Sequence, residues 1–212
     1  MTVMQCVEDF VEQTARRTPI YTEEIYRYVQ QKLPGTDRAT LNMTLQRYEK
    51  KTPDFLRYKK GIYYRTVRTP FGMAGIDEAE VIRKTYLEDG GEIIGYESGP
   101  SYMNRLGLTT QMPSWTYIVT DKARYRTEDK VRGICLLRPV IRVNRDNYRY
   151  LQFLDVLDNR MHVCAETRHR RVILRGQIDR YGLTFEKLVG YAKYYANKDV
   201  YTELAELAQG VD

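Results

Sequence analysis

The segment RATLNMTLQRYEKK, residues 38–51, carries the side-chain types that read DNA. If it is helical, Leu41, Leu45 and Tyr48 fall on one apolar stripe, because residues spaced by three or four share a helix face. The polar side comprises Arg38, Asn42, Met43, Gln46, Arg47 and Lys50. Arginine and lysine pair with guanine, amides pair with adenine, and an apolar group can contact a thymine methyl. An ordinary solvated helix face is the alternative interpretation.

Two lysines, Lys59 and Lys60, follow shortly after this segment and precede Gly61. The runs FLRYK and IYYRTV on either side predict a β-hairpin, with glycine supplying the positive φ of its tight turn. Lysines at such a tip would contact DNA phosphates, which position a protein on the duplex without specifying sequence.

Residues with catalytic potential lie further along the chain, in the turn GLTTQMP at 107–113. A nucleophilic threonine needs an activating base within hydrogen-bond reach, and the sequence places no histidine beside Thr109 or Thr110. We therefore predict that Thr109, Thr110 and Gln111 satisfy backbone groups in a buried turn between a helix and a strand.

Acidic residues offer little support for an enzyme. Asp155 and Asp158 lie three residues apart on a predicted helix face, but no further acids accompany them. A nuclease or nucleotidyltransferase would need clustered acids that hold a metal ion. We predict that both aspartates are solvated and that the chain is not an enzyme.

The cysteines indicate neither a disulfide framework nor a metal centre. Cys6, Cys135 and Cys164 are scattered and odd in number, which is typical of a reduced compartment. His162 and Cys164 would share a strand face, but zinc takes three or four ligands and no others are near. We predict no metal and no cofactor.

The N-terminal third predicts three helices and a hairpin. Val3, Val7 and Val11 share one face of a first helix that stops before Pro19, and Ile20 and Tyr21 form a short extended piece. A second helix starts at an N-cap Thr22 and stops at Pro34 and Gly35, and a third follows from about Asp37 to Lys51. Two helices with a short glycine-containing turn form a helix-turn-helix, and the hairpin makes it a winged one.

The rest of the chain predicts a mixed α/β domain with a helical C-terminus, so the fold class is α+β. Domain ranges of 1–68 and 76–212 follow if the Pro- and Gly-containing segment 68–75 is a linker. The predicted elements are a helix from Ala79 closed by Gly90 and Gly91, strands at 93–96, 115–120 and 134–143, the last interrupted by Pro139, and helices at 101–106, 147–158, 170–180, 184–196 and 199–209.

Charge is unevenly distributed between these parts. Residues 1–68 carry 13 basic and 8 acidic side chains, a net +5, out of +6 for the whole chain of 212 residues. A positive domain attracts nucleic acid through counterion release and steering. There are two more basic clusters. One consists of Lys122, Arg124, Arg126, Lys130 and Arg132, and the other of Arg168, Arg170, Arg171, Arg175 and Arg180. Both could be solvated, or they could bind an acidic partner or DNA.

No apolar run approaches the roughly 20 residues that a membrane-spanning helix needs, and the first residues, MTVMQCVEDF, are unlike a signal peptide. We therefore expect a cytoplasmic protein with no membrane partner.

Three segments together resemble the AbiEi-type antitoxins, which repress their own operon and counteract a nucleotidyltransferase-like toxin. They are EIIGYESGPSYMNRLGLTTQMPSWTYIVTD at 92–121, RATLNMTLQRYEKK followed by GIYYRTV, and YLQFLDVLDN at 150–159. The resemblance implies an operator-binding N-terminal domain, with double-stranded DNA of its own promoter as partner, and an antitoxin domain beyond it. The sequence departs from the family at KKTPD, 50–54, which is longer before the wing and contains proline.

The residues also allow a transcriptional regulator without a toxin partner, whose C-terminal domain senses a ligand or forms a dimer. A nucleotidyltransferase-like gene immediately downstream would favour the antitoxin, and its absence would favour the plain regulator.

Overall fold

A computed structural model describes residues 1–130, 132–158 and 167–209. The architecture is mixed α+β. The chain forms two compact units, which we call unit 1, Met1–Lys84, and unit 2, from Thr85 onward. The predicted ranges 1–68 and 76–212 place this division earlier than the structure does.

Unit 1 begins with helices and a small sheet. Its elements in chain order are α1 (Val3–Gln13), β1 (Ile20–Tyr21), α2 (Thr22–Lys32), α3 (Arg38–Lys51), β2 (Phe55–Lys59), β3 (Ile62–Arg65), β4 (Arg68–Thr69), β5 (Gly72–Met73) and α4 (Glu78–Ile82). A π-helical turn at Arg83–Leu87 follows α4.

Local hydrogen bonds explain where the helices of unit 1 begin. The Thr2 hydroxyl accepts from the Gln5 N–H while the Gln5 side chain accepts from the Thr2 N–H, a reciprocal capping box. Asp37 caps α3 by accepting from the Thr40 N–H at 2.7 Å. The predicted N-cap at Thr22 is displaced by one residue, because Glu24 instead accepts from the Tyr21 N–H at 3.1 Å.

The three-stranded sheet of unit 1 has the order β1-β3-β2, with antiparallel pairing throughout. Lys60 and Gly61 form the turn of the β2–β3 hairpin, as predicted, and Gly61 has φ +80°. The ring of Phe55 stacks on Tyr63 and meets the edge of Tyr48, each at 5.0 Å between centroids. These rings join the buried faces of α1, α2 and α3 in one core, which fixes the face of α3 that remains outside.

Residues 68–84 belong to unit 1 because hydrogen bonds attach them there. β4 and β5 form a short hairpin, and the Thr66 hydroxyl donates to the Ala74 carbonyl at 2.7 Å. The Asp77 N–H donates to the Arg17 carbonyl at 2.8 Å, and Arg17 returns a bond to the Gly75 carbonyl at 3.0 Å. The segment predicted to be a linker is therefore an ordered extension of unit 1.

Unit 2 combines a four-stranded sheet with a group of helices. Its elements are β6 (Glu88–Asp89), β7 (Glu92–Ile93), β8 (Gly95–Ser98), α5 (Gly99–Arg105), β9 (Thr116–Thr120), β10 (Thr127–Asp129), β11 (Ile134–Leu137), α6 (Tyr148–Asp158), α7 (Thr167–Tyr181), α8 (Phe185–Ala192) and α9 (Asp199–Ala208). The sheet order is β10-β11-β9-β8, with β9 and β11 parallel and the other pairs antiparallel. The predicted C-terminal helices are thus present.

Two predictions about unit 2 were wrong in detail. Gly90 and Gly91 do not end a helix: both have positive φ, +58° and +88°, and they form the turn between β6 and β7. The strand predicted at 134–143 stops at Leu137, because Pro139 has no N–H to donate to a neighbouring strand.

Helix α6 is buried along most of its length and packs on β8.

Candidate functional site

The exposed face of α3 is the candidate nucleic-acid interface, and its position follows from the buried side of the helix. Leu41, Leu45 and Tyr48 are buried in the core of unit 1, as their spacing predicted. Thr44 is also buried, with its hydroxyl donating to the Thr40 carbonyl at 2.8 Å. These contacts turn the opposite side of α3 away from the core.

Five of the predicted DNA-reading residues are exposed on that opposite side: Asn42, Met43, Gln46, Arg47 and Lys50. Within the described part of the chain, the structure gives none of the five side chains a hydrogen bond or an ion pair. Donors, an amide acceptor and an apolar thioether therefore remain available on one helix face. This is the combination that base edges in the DNA major groove require.

Arg38, the sixth predicted DNA-reading residue of α3, is exposed and has partners within the chain. It donates two hydrogen bonds to the Glu23 carboxylate, at 2.7 and 3.0 Å, and its guanidinium lies 4.4 Å from the centre of the Tyr26 ring. The Arg38 hydrogen bond also lowers the pKa of Glu23. Since Glu23 and Tyr26 belong to α2, these contacts tie the start of α3 to the neighbouring helix.

The two hairpin lysines differ from each other. Lys60 is exposed at the turn, whereas Lys59 is half-buried in β2, where it pairs with Ile62 of β3. The Thr22 N–H donates to the Gly61 carbonyl at 2.9 Å, so the turn is held at the start of α2. The hairpin is short, and its turn itself carries this hydrogen bond to the start of α2.

The segment KKTPD between α3 and β2 is also well anchored. The Asp54 carboxylate lies 2.7 Å from Arg16 and 3.8 Å from Arg65, and the Phe55 N–H donates to the Thr52 carbonyl at 3.0 Å. Two ion pairs and one backbone hydrogen bond thus hold the segment that joins α3 to the hairpin.

In unit 2 the predicted partner-binding residues are largely paired within the chain. Arg126 lies 3.0 Å from Glu128. Arg132 lies 3.2 Å from Asp129. Lys122 lies 3.6 Å from Asp89, whereas Arg124 and Lys130 are exposed. Much of the positive charge of this cluster is therefore compensated locally.

Three arginines of α7 also have partners within the chain. Arg170 pairs with Glu203 and Arg171 with Glu206, both on α9, and Arg175 donates to the Leu207 carbonyl. This second basic cluster joins two helices of unit 2. The side chain of Arg168 lies outside the described residues.

The GLTTQMP turn is organised by Asn104 as much as by its own side chains. The Asn104 amide donates to the carbonyls of Thr109 and Gln111, at 3.1 and 2.9 Å. The buried Thr109 hydroxyl accepts from the Gln111 N–H at 3.2 Å, as predicted for a structural threonine. Thr110 and Gln111 are exposed, so only the first part of the turn is buried.

Asp155 is not the solvated residue that the sequence predicted. Its carboxylate accepts hydrogen bonds from Ser98 and Tyr195, each at 2.7 Å, and contacts Tyr96 as well. Burial raises the pKa of Asp155 to about 6, although the three hydroxyl donors act in the opposite direction. Asp158, one turn further along α6, is exposed as predicted.

Sequence reasoning missed the hydroxyl partners of Asp155 because they are distant in the chain. Tyr195 is 40 residues and Ser98 57 residues from Asp155. The available signal was the presence of two polar residues, Gln152 and Asp155, within the mainly apolar run YLQFLDVL, since a buried polar group requires hydrogen-bond partners. That run predicts a buried helix and leaves its partners unspecified.

Within 1–130, 132–158 and 167–209 the structure groups no three His, Cys, Asp or Glu residues as a metal site. His162 and Cys164, the pair weighed as ligands, lie outside these residues. Cys6 and Cys135 are buried free thiols, and burial raises the pKa of Cys135.

No family model matches this chain, and no curated protein matches it. Among the described helices, none combines the length and the apolar character needed to cross a membrane.

Proposed function

We propose that unit 1 is a winged helix-turn-helix domain that binds double-stranded DNA, with α3 as the helix that enters the major groove. The element order α1-β1-α2-α3-β2-β3 and the sheet order β1-β3-β2 support this assignment. In a helix-turn-helix, the second helix of the motif reads base edges. The observation that carries the proposal is the exposed, unpaired set of polar side chains on α3.

Charge supports DNA over a protein partner for this face. Residues 1–68 have a net charge of +5, and Arg47 and Lys50 are exposed on α3 itself. Phosphate contacts provide most of the affinity of such domains, and a few bidentate base contacts provide specificity. Arg38 acts here as a positioning residue that holds α3 against α2.

For the whole chain we propose an autorepressor and antitoxin of a type IV, abortive-infection system. Unit 1 binds the chain's own promoter, and unit 2 counteracts a nucleotidyltransferase-like toxin. The three segments that resemble AbiEi-type antitoxins support this proposal, and two of them, 92–121 and 150–159, fall in unit 2. The proposal assigns no catalytic step to the chain and places its action in the cytoplasm.

A second candidate function is a transcriptional regulator without a toxin, in which unit 2 senses a small molecule. One observation favours it: a cavity of about 590 Å³ in unit 2, lined by Asp155 and several tyrosines. The two candidates share the DNA-binding unit and differ only in the role of unit 2.

The DNA-binding proposal is tested by Arg47→Ala in the full chain. Loss of a bidentate base contact should weaken binding to the chain's own promoter by about 1 to 3 kcal/mol and leave non-specific binding much less affected. Arg124→Ala removes an exposed arginine of unit 2 and serves as the matched control. Electrophoretic shifts that give both variants the wild-type promoter affinity would contradict a reading role for α3.

The antitoxin role is tested with a variant in which several polar side chains on the exposed face of α3 are removed together. A full-length chain with Gln46, Arg47 and Lys50 all replaced by Ala should lose promoter binding and still rescue cells that express the downstream toxin. Circular dichroism confirms that the variant is folded. If promoter binding and rescue are lost together in a folded variant, unit 2 does not act alone. If even the wild-type chain gives no rescue, the plain regulator is favoured.

A further inference from the structure

A pocket of about 590 Å³ in unit 2 is lined by residues of three neighbouring strands of the sheet, β8, β9 and β11. Its floor contains a cross-strand row in which Tyr96 of β8 pairs with Val119 of β9, and Val119 pairs with Leu137 of β11. Neighbouring strands lie about 4.8 Å apart, so this row spans roughly 10 Å. The pocket therefore accepts an extended small molecule that lies across the strands.

One end of the pocket is acidic. Asp155 and Asp158 both line it from α6, and Asp155 is held at the β8 side by its bond from Ser98. Asp158 is exposed, and the structure gives it no side-chain partner among the described residues. The two carboxylates are close enough that the charge of Asp158 contributes to the raised pKa of Asp155. An additional positive group at this end would relieve that repulsion.

The opposite end is basic. Arg138 follows β11 directly and Arg126 precedes β10, and these strands lie on the far side of β9 from β8. Arg126 is paired with Glu128 at 3.0 Å. Arg138 is exposed and has no hydrogen bond or ion pair in the described part of the chain. A guanidinium is therefore available at the end away from the aspartates.

Between these ends the lining is aromatic and apolar. Tyr117 pairs with Ser98 across β8 and β9, and Tyr194 lines the pocket from the segment after α8. Gly99, at the junction of β8 and α5, lies against the Tyr117 ring, where an added Cβ would come within 3.0 Å of the ring. A ligand with a methylene or other apolar middle section fits this part.

We propose that this pocket binds a small dipolar molecule, with an ammonium group at Asp155 and Asp158 and a carboxylate or phosphate at Arg138. Each end then forms charge-assisted hydrogen bonds with groups of opposite sign, and the apolar middle of the ligand covers the tyrosine-lined floor. Every residue used here belongs to unit 2, so this binding is independent of the DNA proposal for unit 1.

The ligand class is tested with a matched set of probes and the full-length protein. Isothermal titration calorimetry should show that 6-aminohexanoate binds at least about tenfold more tightly than hexylamine or hexanoate, since each of these lacks one charged end. Titration of 6-aminohexyl phosphate in parallel shows which anion Arg138 prefers. Equal affinity for all probes, or no saturable binding of either dipolar probe, overturns the proposal.

Variants then locate the binding. Asp158→Asn and Arg138→Gln should each weaken the better dipolar probe by about tenfold or more, because each removes one charge-assisted contact. Arg124→Gln, an exposed arginine outside the pocket lining, should leave the affinity within about twofold. Circular dichroism checks that all three variants are folded, which is expected because all three positions are exposed. Wild-type affinity in folded Asp158→Asn and Arg138→Gln variants places the probe elsewhere and overturns the assignment.

Discussion

The exposed face of α3 in unit 1 and the basic clusters of unit 2 differ in how their charged side chains are paired. In unit 1, Arg47 and Lys50 remain unpaired on the exposed face of α3. In unit 2, Arg126 and Arg132 pair with acids a few residues away, and Arg170 pairs with Glu203 of α9. Clusters of similar composition in the sequence thus differ in whether their charge is available to a partner.

This difference shows that the number of basic residues in a segment is a weaker indicator of binding than their pairing. An arginine that is paired with a carboxylate must give up that ion pair to bind a phosphate. The free energy gained on binding the phosphate is therefore smaller than for an unpaired arginine. We therefore propose α3 as the DNA-contacting element and a mainly intramolecular role for the basic clusters of unit 2.

The largest effect concerns the separate cores. Leu45→Ala in unit 1 and Leu154→Ala in unit 2 each remove a buried side chain and should lower the free energy of unfolding of their own unit by about 2 to 5 kcal/mol. The single tryptophan, Trp115, lies in unit 2. The urea midpoint of the Trp115 fluorescence transition should shift in Leu154→Ala and not in Leu45→Ala. Circular dichroism, which reports on the helices of both units, should detect the loss of stability in each variant. A tryptophan transition that shifts with Leu45→Ala would mean that the units unfold together.

The next effect concerns Asp155. Its pKa in the folded protein, about 6, is above the ordinary value, so the folded state binds this proton more tightly than the unfolded state does. The resulting stability is fully present below about pH 4 and is lost as the pH rises through 6. Between pH 7.5 and 4.5, wild type should gain about 2 kcal/mol relative to Asp155→Asn.

Urea denaturation followed by Trp115 fluorescence at several pH values measures this gain. Asp179→Asn is the control, since Asp179 is an exposed aspartate of unit 2 that does not contribute to the raised pKa of Asp155, and its difference from wild type should vary much less with pH. A difference between wild type and Asp155→Asn that is constant with pH would mean that Asp155 titrates normally.

A smaller effect concerns the hairpin of unit 1. Replacing Lys59 and Lys60 by Gln should remove up to two phosphate contacts, which lowers the salt dependence of DNA binding by about two counterions. When the salt concentration is raised from 50 to 200 mM, the loss of DNA affinity should therefore be about tenfold smaller for the variant than for wild type. Binding isotherms at four salt concentrations give the slope, and Lys122 and Lys130 of unit 2 replaced by Gln form the control pair. An unchanged slope for the hairpin variant would place the hairpin away from the duplex.

The smallest effect concerns Arg38 and Glu23. If their ion pair positions α3, Arg38→Gln and Glu23→Gln should weaken promoter binding by similar factors, about two- to fivefold, and the double variant should be no worse than either. If Arg38 reads a base instead, Arg38→Gln should weaken promoter binding much more than Glu23→Gln does. Promoter affinities of the four proteins in a double-mutant cycle distinguish these outcomes.

Sequence periodicity alone predicted most of the elements. The stripes of α1, α2 and α3, the hairpin turn at Lys60 and Gly61, and the helices from residue 147 onward agree with the structure to within a few residues at most ends. These features depend on local spacing, turn chemistry and capping, which a sequence displays directly. The five exposed residues on the outer face of α3 could be predicted for the same reason, because the buried stripe determines the opposite face.

Tertiary structure alone decided the features that depend on partners distant in the chain. The bonds of Arg38 to Glu23, of Asp155 to Ser98 and Tyr195, and of Arg170 to Glu203 join residues 15, 57, 40 and 33 positions apart. Burial and ion pairing are set by which elements pack together, so a residue type does not reveal whether its charge is satisfied internally. The same reason explains why residues 68–75 were assigned to a linker from their Pro and Gly content, although their hydrogen bonds make them part of unit 1.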